Sequence, residues 1–134
     1  VYAHDIGYPI NPNLVEGQIQ GAVAMALGGC LYEEAKFDEA GKFLNPNFAD
    51  YHIPRAFDMQ RVEIIDVITD DPNGPFGAKE CGEGTTSGTA PAVANAVYDA
   101  LGIMVDLPLT KEKIVNALKA QKQIKIEAGQ KNRN

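Results

Sequence analysis

The chain has 134 residues, of which 45% are hydrophobic and 22% are charged, and its formal net charge at neutral pH is −6. This length and composition predict one folded domain with a hydrophobic core and exclude a disordered chain. The sequence shows no apolar run of membrane-spanning length and no charged leader before a short apolar core. We therefore expect no transmembrane segment, no signal peptide and a cytoplasmic location.

The charges divide unevenly along the chain. Residues 1–110 contain sixteen acidic and five basic side chains, whereas residues 111–134 contain two acidic and seven basic ones. The basic residues at the end lie among Gln, Asn and Gly without interleaved aromatic rings, which is typical of a solvated or frayed terminus rather than a nucleic-acid site. We divide the chain into a domain segment, residues 1–118, and a basic polar tail, residues 119–134.

The cysteines and histidines of the sequence, and the residue at which it begins, allow two further predictions. Two cysteines and two histidines stand alone, without zinc-binding spacing, so we expect no protein ligand for a metal and no disulfide framework. The chain opens at Val1 directly on an apparent strand end. This indicates a piece of a longer protein: a processed subunit, a domain, or one chain of a split protein.

The first half of the chain predicts a short strand and a long helix. Residues 2–7 read as a strand ending in a turn, and Asn11 before Pro12 is typical of a helix N-cap with proline at the first helical position. Apolar residues cover more than one face of a helix over residues 14–34, and its glycines indicate close approach of another backbone or a ligand. Gln18 has apolar residues four before, four after and seven after it. We expect its amide to point inward and to bond neighbouring backbone, water or a ligand.

The middle of the chain predicts a hairpin-like connection over residues 33–42, an irregular stretch and then a strand. Residues 62–69 are β-branched and almost continuously apolar, which is typical of a strand covered on both faces. The strand leads into Gly74–Gly88, here called the glycine loop, which holds five of the thirteen glycines. Such a density indicates a backbone that approaches a ligand closely, although a tight strand-to-helix turn would also favour glycine.

The glycine loop does not match the phosphate loops of nucleotide-binding proteins. Lys79 precedes Gly82 and is followed by Glu80, so the lysine and hydroxyl that phosphate and magnesium require are out of place. The loop instead offers carboxylates between glycines, next to a predicted helix start. That is where acid/base chemistry is expected, and Glu80 and Glu83 are the two candidates.

The last third of the chain predicts a helix, a short strand and a second helix. Thr89 is a candidate cap for a helix that ends at Leu101, with Gly102 just beyond its end. The amino end of this helix faces the glycine loop, where its dipole favours an anion. Residues 104–107 predict a short strand, and Thr110 predicts the cap of the final helix. The fold class predicted is α+β, a mixed sheet packed with helices.

Five segments of the sequence, taken together, resemble a known family. In chain order they are DIGYPINPNLVEGQIQGAVAMALGGCLYEE, NFADYHIPRAFDM, GPFGAKECGEG, APAVANAVYDALGI and LPLTKEKIVNAL. They are similar to the C-terminal part of the molybdenum-binding subunit in the xanthine dehydrogenase and aldehyde oxidase family of molybdenum hydroxylases. The resemblance extends from Tyr2 to about Leu118 and implies a fragment of the molybdopterin-binding lobe.

The resemblance implies roles for individual residues. The family motif G-x-K-x-x-G-E matches the stretch from Gly77 to Glu83, and its final glutamate is the base beside molybdenum, so Glu83 is the expected catalytic residue. A glutamine that contacts the cofactor in the family matches Gln18. The residues expected to bind the cofactor are Gln18, Gly82, Lys79 and Thr85.

The resemblance also implies the cofactor, the partners and the reaction. The cofactor is molybdenum–molybdopterin, either plain or as its cytosine dinucleotide. Fe–S and FAD groups belong to partner chains or domains, because no cysteine cluster in this sequence could hold an Fe–S centre. The implied reaction oxidises a C–H group of an N-heterocycle or an aldehyde, in a site that the rest of the subunit completes. The isolated chain is expected to be inactive.

Two positions depart from the family pattern and keep the substrate class open. Many relatives have a small residue at the position of Glu80 and a proline at that of Gly84. The stretch GPFGAKE also resembles 4-hydroxybenzoyl-CoA reductases, which run a reduction on the same cofactor, although Gly82 favours the hydroxylases. A second alternative is a non-catalytic structural or assembly module that kept the fold and lost the activity.

Overall fold

A computed structural model of the protein describes residues 1–131. The two strands of this part of the chain are β1 (Tyr2–Asp5) and β2 (Ile64–Val67). Its α-helices are α1 (Pro12–Leu31), α2 (Thr89–Leu101) and α3 (Lys111–Lys131). Short 3-10 turns cover Ala56–Asp58, Pro75–Gly77 and Glu83–Thr86. The predicted α+β class, with helices packed on a small sheet, is confirmed.

The sheet brings two distant parts of the sequence together. β1 pairs with β2 in parallel, with Tyr2 opposite Ile64 and Asp5 opposite Val67. The carboxyl ends of both strands therefore lie at the same edge. The prediction that β2 is covered on both faces is wrong for this chain, because Ile65 and Val67 are 47% and 41% exposed. Continuous apolar residues signal a covered strand, but residues 1–131 supply no layer over that face.

α1 supplies most of the core. Ile19 and Cys30 are fully buried, and Ile6, just beyond β1, is 1% exposed and packs in the same cluster as Ile19. The predicted N-cap is confirmed, since the Asn11 side chain accepts a hydrogen bond from the backbone N–H of Leu14 at 3.3 Å. The helix ends at Leu31, three residues earlier than predicted.

α1 is also the one helix within residues 1–131 that is long and apolar enough to cross a membrane by length and composition. This is weak evidence for a span, because the core helix of a water-soluble domain passes the same test. The buried apolar side chains of α1 belong to the core of the domain.

The connection after α1 forms the predicted hairpin-like turn. Phe37 and Phe43 make an isolated antiparallel bridge, and their rings stack with centroids 5.2 Å apart. Between them, the Asp38 carboxylate accepts hydrogen bonds from the backbone N–H groups of Ala40 and Lys42. Gly41 adopts a φ of +79°, which glycine takes without steric cost.

Two predictions near α2 are wrong and two are confirmed. Residues 104–107 form no strand, because the part of the chain that is described offers them no strand to pair with. Thr89 is the first residue of α2 rather than its cap, and its buried hydroxyl has no hydrogen-bond partner within residues 1–131. Gly102 closes α2 in the left-handed conformation as predicted. The Thr110 hydroxyl accepts a hydrogen bond from the Lys113 N–H and so caps α3.

The predicted tail is helical as far as it is described. α3 continues to Lys131, because Lys, Ala, Gln and Glu are good helix formers and no proline interrupts them. Gln121 Nε2 donates to the carbonyl oxygen of Gly102 at 2.9 Å, which ties α3 to the end of α2. Residues 132–134 of the predicted tail lie outside the described residues. The domain boundary at residue 118 stays a prediction.

Candidate active site

The glycine loop lies alongside the continuation of β1. Gly7 and Ala78 form an antiparallel bridge, and the Lys79 N–H donates to the Ile6 carbonyl oxygen at 2.8 Å. Gly7 has a φ of +62°, and a Cβ placed on it would lie 2.8 Å from the Lys79 nitrogen. Only glycine fits at this crossing, so the close approach of the two backbones fixes the position of the loop at Ala78 and Lys79.

Lys79 joins the loop to the carboxyl ends of both strands. Its Nζ donates to Asp5 Oδ2 at 2.6 Å and to Thr69 Oγ1 at 2.8 Å, and Thr69 Oγ1 donates to the Asp5 carboxylate. The Lys79 hydrogen bond, followed by those from the Gly7 N–H and Thr69, lowers the pKa of Asp5 to about 2. Within this chain the lysine charge is therefore paired with Asp5. Its predicted contact with the cofactor stays a prediction.

Sequence reasoning missed Asp5 and Thr69 as partners of the loop. A signal was present, because Asp5 stands near the end of one predicted strand and Thr69 at the end of the other. Parallel strands end at a common edge, which is where α/β proteins place their sites. The sequence did not show that the two strands pair in parallel, so it did not bring these residues together.

Glu83 opens the 3-10 turn in the middle of the glycine loop. The residue is exposed, and its carboxylate makes no hydrogen bond or ion pair within residues 1–131. Its carbonyl oxygen accepts a hydrogen bond from the Thr86 hydroxyl at 2.7 Å, which fixes the backbone of the turn. The side chain is thus carried on an ordered backbone with both carboxylate oxygens available to a ligand.

Glu80, the rival carboxylate, is engaged by the loop itself. Its Oε2 accepts hydrogen bonds from the backbone N–H groups of Gly82 at 3.1 Å and Gly84 at 3.2 Å. His4 Nε2 lies 3.3 Å from the Glu80 carbonyl oxygen and 4.0 Å from Oε1. The two candidate carboxylates therefore have different surroundings, since one is bound to backbone and the other is not.

Thr85 anchors the loop in the core. Its side chain is fully buried, its hydroxyl donates to the Cys81 carbonyl oxygen at 3.1 Å, and its own carbonyl oxygen accepts from the Tyr2 hydroxyl at 2.6 Å. The Thr85 side chain therefore stabilises the conformation of the loop and is not exposed at the surface of the loop. The predicted contact between Thr85 and the cofactor stays a prediction.

Gln18 does not point inward, contrary to the sequence prediction. It is exposed, as is Leu14 one turn earlier, which is 67% exposed. The core face of α1 is the one that carries Val15 and Ile19. Of the apolar neighbours of Gln18, Ala22 is buried, whereas Leu14 and Met25 belong to an open stripe. Sequence periodicity showed that α1 has several apolar faces but not which of them this chain buries.

Gln18 and the glycine loop are nevertheless neighbours. A Cβ placed on Gly82 would lie 3.7 Å from Gln18 Oε1. A cleft of about 260 Å³ runs between α1 and the loop, lined in part by Leu14, Gln18 and Cys81. Gln18 can both donate and accept hydrogen bonds, the Gly82 backbone carries no side chain, and Glu83 follows directly. Gln18 can therefore hydrogen-bond a polar organic cofactor, and the Glu83 carboxylate can accept a proton from a neighbouring group.

Comparison with known proteins identifies the class of this fold. Residues 1–60 match the molybdopterin cofactor-binding domain family. The chain is 41% identical over 116 residues to the probable hypoxanthine oxidase XdhD of Escherichia coli strain K12, covering 85% of this chain and 12% of that protein. It is 37% identical over 113 residues to the putative xanthine dehydrogenase molybdenum-binding subunit XdhA of the same strain, covering 83% and 15%.

A solved structure shares the fold. The crystal structure of quinoline 2-oxidoreductase from Pseudomonas putida 86 superposes with a TM-score of 0.82 at 34% identity, over 87% of this chain and 15% of that one. The fold is thus that of a molybdopterin-binding segment. The chain belongs to the xanthine dehydrogenase and aldehyde oxidase family of molybdenum hydroxylases and corresponds to part of its molybdenum-binding subunit. It spans 12% to 15% of the length of these three relatives.

Proposed function

We propose that this chain supplies the general base Glu83 and the cofactor contact Gln18 to the active site of a molybdenum hydroxylase. The observation that carries the proposal is the exposed carboxylate of Glu83, which has no hydrogen-bond partner within residues 1–131. The residue before Glu83 is Gly82, which lies next to Gln18. The rest of the molybdenum-binding subunit completes the site. The reaction is oxidation of a C–H group of an N-heterocycle or an aldehyde.

The residues of this chain would divide the work between them. The molybdenum–molybdopterin group, plain or as its cytosine dinucleotide, supplies two-electron oxidation when bound. The Gln18 amide would hold and orient it by hydrogen bonding, and the Gly82 backbone would let it approach the loop closely. Glu83 would accept a proton at its carboxylate during oxidation of the substrate, a role worth a factor of about 10² to 10⁴ in rate.

The proposed partners are those that the family resemblance implies, and the length and composition of the chain agree with them. It covers a small part of its relatives, and its sequence contains no cysteine cluster for an Fe–S centre. Electrons would therefore leave through Fe–S and FAD groups on other chains or domains of a cytoplasmic complex.

The substitution Glu83→Gln in the assembled enzyme tests the proposal. Glutamine keeps the size of the side chain but cannot accept the proton, so we expect molybdenum and pterin content to stay normal while kcat falls about 10²-fold or more. The matched control is Glu39→Gln, which changes an exposed carboxylate in the hairpin turn after α1. Steady-state kinetics and metal analysis measure both variants.

Three other outcomes would point elsewhere. Near-normal turnover of Glu83→Gln would move the base to Glu80 or another group. A natively purified complex without molybdenum or pterin would support the non-catalytic module. Reduction of an aromatic thioester, without hydroxylation of heterocycles or aldehydes, would support the reductase.

A further inference from the structure

We propose that Glu80 is a positioning residue that holds Glu83 in place through a single carboxylate oxygen. The inference rests on the proposed role of Glu83 as the base. The two neighbouring carboxylates then have separate tasks, Glu83 as the base and Glu80 as its support.

The contacts of Glu80 surround Glu83 on both sides. The Gly82 and Gly84 N–H groups, which both donate to Glu80 Oε2, belong to the residues immediately before and after Glu83. The first N–H groups of a helical turn have no partner within that turn, so a carboxylate that accepts them acts as a cap. Hydrogen bonds to an ionised acceptor are stronger than those between neutral groups. Glu80 thereby limits how far the peptide groups on either side of Glu83 can rotate.

The position of Glu80 is itself supported from the sheet. His4 on β1 places its Nε2 3.3 Å from the Glu80 carbonyl oxygen, and the His4 side chain is 16% exposed. The preceding residue, Lys79, is held by Asp5 at the end of the same strand. The backbone of Glu80 is thus fixed by β1, while its side chain, 61% exposed, reaches over the loop.

Glu80 and Gly84 depend on each other. A Cβ placed on Gly84 would overlap the Glu80 carboxylate, so the capping geometry requires glycine at that position. A proline there would have no N–H to donate. One hydrogen bond therefore links Glu80 to Gly84.

The experiment uses the assembled, cofactor-loaded enzyme and three variants: Glu80→Ala, Glu80→Gln and, as a control, Glu39→Ala. Alanine removes the acceptor, whereas the glutamine amide oxygen can still accept the two N–H groups but cannot act as a base. We expect Glu80→Ala to lower kcat about tenfold, with KM and molybdenum content within about twofold of wild type. We expect Glu80→Gln to keep kcat within about threefold of wild type, and Glu39→Ala to change nothing.

A second readout does not depend on activity. Amide hydrogen exchange of the peptide that contains residues 82–86 should be faster in Glu80→Ala by about tenfold and close to wild type in Glu80→Gln, because only alanine frees the two N–H groups. Gly84→Ala should disturb the same peptide in the wild-type background. It should disturb it less when Glu80 is also replaced by glycine, since the overlapping carboxylate is then gone.

Different failures are distinguishable. Wild-type kcat and exchange in Glu80→Ala would overturn the positioning role. A fall in Glu80→Gln as large as that in Glu83→Gln would also overturn it, because proton transfer would then involve Glu80. If Glu80→Ala does not assemble, two other results decide. These are the kcat of Glu80→Gln and the hydrogen exchange of Gly84→Ala with and without Glu80→Gly. Full activity of Glu83→Gln, together with the expected exchange changes in Glu80→Ala, would refute the assignment of Glu83 as the base. It would still support the role of Glu80 in fixing the backbone of the loop.

Discussion

Asp5 is the residue on which the connection between the sheet and the glycine loop depends. Its carboxylate accepts hydrogen bonds from the Lys79 ammonium group, the Gly7 N–H and the Thr69 hydroxyl, and these contacts lower the pKa of Asp5 to about 2. The usual pKa of an aspartate is close to 3.9. A carboxyl with a lowered pKa in the folded state stabilises the fold above its usual pKa, and this contribution is lost as the pH falls through about 2.

Replacing Asp5 with asparagine should therefore have a pH-dependent effect. We expect Asp5→Asn to lower the thermal midpoint of the purified subunit at neutral pH, because Lys79 loses its charged partner. The gap from wild type should narrow as the pH is lowered from about 4 towards 2, where the wild-type carboxyl also becomes neutral. Asp99→Asn, at an exposed position on α2, serves as the control. A gap that stays constant over this range would contradict the role of the ionised carboxylate.

At the scale of the element, the glycines of α1 fall into two groups. A Cβ on Gly28 would overlap the Glu33 carboxylate and lie 2.9 Å from Pro54 Cδ, whereas one on Gly29 would meet nothing within 4 Å. Glu33 is held there because it accepts a hydrogen bond from the Tyr51 hydroxyl at 2.9 Å, a contact that raises the pKa of Tyr51. The predicted close approach is made at Gly28 by the side chains of Glu33 and Pro54 rather than by another backbone, and Gly29 has open space around it.

This difference makes the adjacent glycines a matched pair. Gly28→Ala should destabilise the protein by about 1 to 3 kcal/mol, because the added methyl group forces Glu33 and the Pro54 ring away from α1. Gly29→Ala should be neutral or stabilising by up to about 1 kcal/mol, since alanine favours the helix and has room. Denaturant unfolding of the purified subunit measures both. Equal effects of the two substitutions would show that helix propensity, and not packing, governs this end of α1.

At the scale of the whole molecule, the chain leaves much apolar surface uncovered. Phe48, Phe57, Phe76 and Met104 are all at least 80% exposed, and the two-stranded parallel sheet has an open apolar face. Parallel sheets are normally covered on both faces, and exposed apolar patches of this kind mark contacts with other parts of a protein. The uncovered apolar surface agrees with the comparisons, since the chain corresponds to only 12% and 15% of the length of the two Escherichia coli relatives.

The 134-residue chain on its own should consequently behave as an incomplete unit. We expect it to bind a hydrophobic dye such as ANS, to self-associate and to show no turnover. Co-production with the remainder of a molybdenum-binding subunit should reduce dye binding and restore a defined mass. Fluorescence and light scattering test this. A monodisperse isolated chain that does not bind the dye would instead favour the self-contained module.

Short-range chemistry was readable from the sequence alone: the Asn11 cap of α1, the glycine that ends α2, the α+β class and the motif that ends at Glu83. Each depends on neighbouring residues along the chain or on a motif of fixed spacing. Only the tertiary structure placed Gln18 on an open face, paired Lys79 with Asp5 and turned Glu80 onto the amides of Gly82 and Gly84. Those outcomes depend on which strands pair and which helix face is buried, and both are decided by contacts between residues far apart in the sequence.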